Sequence, residues 1–179
     1  MNKEVFKEIY LSFFFLGRAP IAPGTFGTLG SVVLAFLVTN YLESNAGYAL
    51  LILIPIMYYF GLILAPWAEK KYGGDPGIYV LDEVIGMGIA ISGVYIFTSI
   101  FDQFSFDFIE SISAVGELFI LTFIFFRFFD ISKIGPVGWV ENNRQEKAYI
   151  RVVGDDIMAA ILSIIVVIFL LNVNLYVMQ

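Results

Sequence analysis

Six carboxylates, Asp75, Asp82, Glu83, Asp130, Asp155 and Asp156, fall in three short stretches of this 179-residue chain, with Arg18, Arg127, Lys133 and Arg151 in or near them. Carboxylate oxygens are hard donors of the kind Mg²⁺ prefers. Arginine and lysine nearby suit phosphate oxygens, so the set fits metal-assisted transfer of a phosphoryl group. The chain has no cysteine and no histidine. That excludes disulfides, thiolate metal sites, cysteine nucleophiles, a histidine base and imidazole-ligated zinc. Hydrolysis by this chain would need carboxylates, hydroxyls, basic side chains or a hard metal ion.

Each stretch has a plainer reading beside the chemical one. In Gly17 to Ser31, GRAPIAPGTFGTLGS, Pro20, Pro23, Gly24 and Gly27 interrupt a helix, and Thr25 or Thr28 could cap the next one. A glycine-rich turn at a helix N-terminus would offer the N–H groups of Thr25, Gly27 and Thr28 to a phosphate, with Arg18 as a charged fork. It could equally be an ordinary capped loop, and it lacks the Gly-Lys-Ser/Thr ending of a P-loop. Asp82 and Glu83 stand side by side where an apolar run begins, which suits either a helix dipole or a cation. Arg127, Asp130 and Lys133 are spaced three apart, on one broad face of a helix, as an ion-paired ladder or as a metal and anion site. Asp155 and Asp156 follow Gly154 and repeat the acidic doublet at the start of the last apolar run. One doublet is explained as a cap; two doublets and Asp130 at one level resemble a cluster.

Apolar runs must position these groups. The chain is 59% hydrophobic, with 19 phenylalanines, and its mean hydropathy is +0.86. A membrane span needs roughly 20 apolar residues. Candidates lie at about 28–42, 48–68, 84–101, 112–129 and 157–177, preceded by an amphipathic or interfacial helix over 3–16 rather than a cleavable leader. Glu117 in the fourth run is expected to face protein rather than lipid. All ten basic residues fall where alternate ends of these runs meet one side. By the positive-inside rule that side is cytoplasmic, and it also holds every stretch described above. The expected architecture is all-α: a single domain over 1–179, with about five spanning or buried helices. A soluble helical protein with an apolar core is the alternative. The net charge of −6 comes without a dense basic patch, so nucleic acid is not an expected partner.

Four segments, GRAPIAPGTFGT (17–28), DPGIYVLDEVIGM (75–87), FFRFFDISK (125–133) and VVGDDIMAAI (152–161), together resemble the phosphatidylglycerophosphatase A family in order and spacing. The chain departs from the family pattern at Pro76, Leu81 and Ile134. The resemblance implies a helical Mg²⁺-dependent phosphomonoesterase of the bacterial plasma membrane, with a cytoplasmic active face. It would convert phosphatidylglycerophosphate to phosphatidylglycerol. The family's acidic positions carry over onto Asp82, Glu83, Asp130, Asp155 and Asp156 as metal ligands and catalytic groups, and its basic position onto Lys133, with Arg127 ahead of it. Two other classes compete: a small cation transporter, which would need carboxylates at mid-membrane on several spans, and a non-catalytic membrane assembly protein.

Overall fold

The computed structural model describes residues 3–73, 77–100, 112–142 and 148–177, without the side chains of Ser44, Ile100, 112–114, 148–153 and 173–177. Asp75, Arg144 and Lys147 lie outside the described residues, as does the side chain of Arg151. The described residues form seven α-helices and no strand. They are α1 (Lys3–Leu11), α2 (Pro23–Leu42), α3 (Ala46–Tyr72), α4 (Leu81–Ile100), α5 (Ile112–Ser132), α6 (Pro136–Asn142) and α7 (Ala148–Val177).

The N-terminal helix is shorter than its sequence pattern. It stops at Leu11 because the Ser12 hydroxyl turns back to the Glu8 carbonyl at 2.6 Å and accepts the Phe15 N–H at 3.0 Å. A serine that bonds its own backbone competes with helix continuation. Phe13, Phe14 and Phe15 then take left-handed backbone angles, φ 43°, 57° and 67°. That is an unfavourable region for bulky residues. The turn buries Phe13 and leaves Phe14 outside.

The second helix starts earlier than expected, at Pro23, whose fixed φ suits a first helical position. Its buried residues are small: Gly24, Gly27, Thr28, Ser31, Ala35 and Thr39. Its large apolar residues, Val33 and Leu37 among them, point outward. Small side chains between helices and large ones outside are the pattern of a bundle solvated by lipid. The same inversion runs through α3, where Gly61, Ala65 and Ala68 are buried while Ile52, Ile56 and Ile63 are exposed. Ile124 and Phe128 of α5 and Ile165 and Phe169 of α7 continue the apolar belt. A water-solvated monomer does not expose so continuous an apolar surface.

Among the described residues four helices, α2, α3, α4 and α7, are long and apolar enough to cross a membrane. A helix of 20 residues reaches about 30 Å, the thickness of the hydrocarbon core. The central one is α4, with 67% of its apolar window buried against 28%, 28% and 33% for α2, α3 and α7. It packs on α2, α3, α5 and α7. The helix expected as a fourth span, α5, covers Ile112–Ser132, 21 residues, and carries Glu117 near its start and Arg127 and Asp130 near its end. Glu117 is exposed, contrary to the expectation that it faces protein. It lies in the second turn, close enough to the helix end for a long side chain to reach the interface.

Successive long helices alternate in direction. The N-terminal ends of α2, α4 and α7 therefore meet the C-terminal end of α5, where Arg127 reaches Thr28 and Lys133 reaches Asp155. Among the described residues no carboxylate lies midway along a spanning helix.

Candidate active site

The polar end of the bundle is assembled by residues that leave room for one another. Asp82 and Glu83 occupy the first turn of α4, where the helix dipole favours negative charge. One turn on, Gly86 lets α7 come so close that a Cβ there would lie 2.8 Å from the Asp156 Cβ and 2.9 Å from the Phe126 ring. Asp82 and Asp156 thus share one crowded corner between α4, α5 and α7. Gly24 does the same for Glu83, whose carboxylate occupies the space a side chain at Gly24 would need. Neither Gly24 nor Gly86 is among the sequence candidates. The visible signal was a glycine inside an otherwise helical apolar pattern, which often marks a close approach.

The second acidic doublet is not at a helix start, as its sequence position suggested. Helix α7 begins at Ala148, so Asp155 and Asp156 lie about two turns inside it. The dipole accounts for Asp82 and Glu83 but not for this pair, whose setting is tertiary.

Lys133 joins the helices. Its Nζ donates to Asp130 Oδ1 at 3.0 Å and to Asp155 Oδ2 at 2.6 Å. Arg127 donates through one terminal nitrogen to Asp130 Oδ2 at 2.5 Å and to Thr28 Oγ1 at 3.4 Å. Thr28 itself donates to the Gly24 carbonyl at 2.8 Å. Burial pulls the Lys133 pKa down, but the hydrogen bond to Asp155 and the charge of Asp130 outweigh it and hold the ammonium above the ordinary lysine value. Lys133 also carries a left-handed backbone angle, φ 50°, just past the end of α5, where glycine is the usual residue.

The five acids that the family resemblance singles out differ in their partners. Asp130 and Asp155 are turned onto Lys133, and Asp130 also onto Arg127. Asp82 Oδ1, Glu83 Oε2 and Asp156 Oδ1 are buried with no hydrogen-bond donor, as is Oδ1 of Asp155, whose Oδ2 is the oxygen paired with Lys133. Such orphaned oxygens are costly in a low-dielectric setting. Among the described residues five carboxyl groups face two cations here, Arg127 and Lys133, and a divalent cation would relieve their repulsion. Their hard, orphaned oxygens fit Mg²⁺ by donor chemistry. Among the described residues no three acidic side chains are gathered into a ready-made ligand shell.

The expected phosphate turn is differently built. Thr25, Gly27 and Thr28 are inside α2, and the Thr25 N–H already donates to the Ala22 carbonyl at 2.9 Å. Gly27 packs against Val80 and Thr28 is fully buried. These residues hold α2 against α4 rather than forming a glycine-rich turn with free N–H groups, because Pro23 starts the helix ahead of them. Arg18 is not brought into the cluster. It is exposed and ion-pairs with the buried Glu8 of α1, to which Lys71 also reaches at 3.4 Å.

Gly86→Ala is expected to force α7 or Phe126 aside. Overpacking of this kind costs typically about 1–3 kcal/mol. The checks are the thermal midpoint, which should fall, and activity, which should drop more than the loss of folded protein explains, because Asp156 moves relative to Asp82.

Comparison with known proteins completes the description. A family model described as phosphatidylglycerophosphatase A matches residues 9–171. No curated protein and no solved structure matches the chain.

Proposed function

From its membership of the phosphatidylglycerophosphatase A family, to which this chain belongs, we propose that it hydrolyses phosphatidylglycerophosphate to phosphatidylglycerol and phosphate at the clustered end of the bundle, with Mg²⁺, on the cytoplasmic face of a bacterial plasma membrane. The family consists of phosphoric monoester hydrolases of phospholipid biosynthesis, and the apolar helices associate this chain with the membrane.

The observation that carries the site assignment is a pair of positioned cations with donors to spare. Arg127 Nε is buried and without an acceptor. Lys133 has three N–H bonds and directs two of them at carboxylates. Both cations are fixed by Asp130, so neither needs to reorganise when a phosphate arrives, and preorganised charge is the larger part of such catalysis. The remaining N–H groups would bind phosphate oxygens and stabilise the charge that grows on them as water attacks phosphorus in line. A P–O bond to water forms and the P–O bond to glycerol breaks. Asp156, with an oxygen that has no donor, is the group to take the proton from water, and the departing glycerol oxygen is protonated in turn. Asp82, Glu83 and Asp156 would have to draw closer together to hold Mg²⁺, which would supply further neutralisation of the phosphate oxygens.

The test is phosphate release by the purified full chain from phosphatidylglycerophosphate in mixed micelles. Release is expected with Mg²⁺, with a loss of about 100-fold or more on chelation that Mg²⁺ restores. No release under any condition would overturn the phosphatase reading. Release that survives exhaustive chelation would overturn its metal part.

A further inference from the structure

Beside the carboxylate cluster the protein has an apolar cavity of ≈ 280 Å³. Its floor comes from three different helices, Leu34 of α2, Met57 of α3 and Leu81 of α4. Its roof is Ile9 and Tyr10 of α1 and Phe13 of the turn that follows. The Tyr10 hydroxyl is withdrawn from it, donating to the Met57 carbonyl at 2.8 Å, so the ring alone faces the space. We propose that this cavity is an acyl-chain subsite, holding part of one fatty-acyl tail of the phospholipid whose headgroup phosphate lies at the cluster.

Four observations point to an acyl chain rather than to another occupant. The lining is apolar throughout, and an apolar cavity of about 150 Å³ already stays dry and takes up a hydrocarbon. A space near twice that size suits a flexible chain segment. Second, the floor is continuous with the reacting groups: Leu81 is the residue before Asp82, at the start of the same helix. A single lipid could therefore place its phosphate on one side of the α4 N-terminus and a tail on the other. Third, the mouth is apolar and faces outward. Phe6 and Phe14 lie at its edge, 54% and 72% exposed, on a bundle whose outer surface is an apolar belt. The cavity opens to lipid, so a tail enters without crossing water.

Fourth, the roof is held under strain. Three successive phenylalanines with positive φ form the turn after α1. Such geometry persists only where the surroundings enforce it, and it collects at ligand-binding sites. Here the enforcement is polar. The buried Glu8 is bonded to Arg18 and Lys71, and the Glu4 carboxylate accepts from Trp67 at 2.7 Å. These contacts pin α1 along the basic end of α3 and keep the roof in place. That gives Arg18 a role, as a residue that holds the cavity closed over its floor.

The inference rests on the lipid-phosphatase reading, and the experiment separates the two. The full chain is reconstituted with a phosphatidylglycerophosphate carrying a photoactivatable diazirine midway along one acyl chain, irradiated, and its labelled peptides are identified. Label is expected to concentrate in residues 6–14 and at Leu34 and Met57. Met57→Phe and, independently, Leu34→Phe fill the cavity from two sides. Each is expected to lower that labelling at least fivefold. Each is also expected to lower kcat/KM about tenfold for the long-chain lipid, and to leave hydrolysis of a water-soluble short-chain analogue within twofold of the parent. Labelling spread evenly over all outward-facing helices and unchanged by either substitution would overturn the subsite. So would equal losses on long- and short-chain substrates. Cavity labelling by a chain that releases no phosphate from any monoester would retain the lipid subsite and remove the phosphatase reading instead.

Discussion

Asp156→Ala is expected to lower phosphate release by about 10³-fold, within the range for loss of a proton-transfer group, while the bundle stays at least as stable as the parent. The side chain is 3% exposed, its Oδ1 has no donor, and it shares its corner with Asp82. A buried carboxylate without a compensating partner weakens the fold, so its removal relieves repulsion even as it removes a reactive group. Initial rates and thermal unfolding of the same preparation check both parts. A rate within tenfold of the parent would remove Asp156 from the chemistry. A collapse in stability would mean that Asp156 serves packing instead.

Lys133 gives the second large effect, and two substitutions separate its charge from its backbone. Lys133→Met removes the ammonium that Asp130 and Asp155 share at 3.0 Å and 2.6 Å. It leaves two carboxylates of different helices facing each other, and activity should fall about 10²–10³-fold, as for loss of a preorganised donor. Stability should fall too, by roughly 2 kcal/mol, because a largely buried pair is broken by removing one partner. Lys133→Gly should be equally inactive but more stable than Lys133→Met by about 1 kcal/mol, since glycine takes a left-handed backbone angle without penalty. The pH dependence follows from the upward shift of the Lys133 pKa. Its pairing energy is fully present below the unfolded lysine value and is lost only as pH rises through the higher folded value. No alkaline loss of stability near neutrality should therefore arise from Lys133. The expected measurement is the same pH dependence of the unfolding midpoint between pH 7 and 9 in the parent and in Lys133→Met.

Much of the architecture was legible because lipid-solvated helices announce themselves by length. The runs over 48–68 and 84–101 match α3 and α4 closely, and the basic residues mark the end where the helices turn back. Boundaries were harder. By sequence Pro23 marks a break, yet it is the first residue of α2; proline stops a helix from within but starts one readily. The run over 157–177 hides the beginning of its helix, since α7 opens at Ala148 and the apolar pattern is then broken by Arg151, Gly154, Asp155 and Asp156. Arg18 looked like a phosphate ligand by type and position, yet its guanidinium is taken by Glu8, ten residues earlier in sequence and invisible as a partner by any spacing rule.

The residues themselves determined the class of chemistry and the end of the molecule where it could occur. Without histidine or cysteine, carboxylates, hydroxyls and cations remain, and charged groups in an apolar chain gather at helix ends, where burial in hydrocarbon is avoided. Tertiary structure alone decided how those charges divide. Asp130 and Asp155 each gained an oxygen bonded to Lys133, while single buried oxygens of Asp82, Glu83, Asp155 and Asp156 kept no donor, where Gly24 and Gly86 let separate helices approach closely. Charge type is a property of one residue, but burial and pairing depend on distances between residues far apart in sequence, and only the packed bundle sets those.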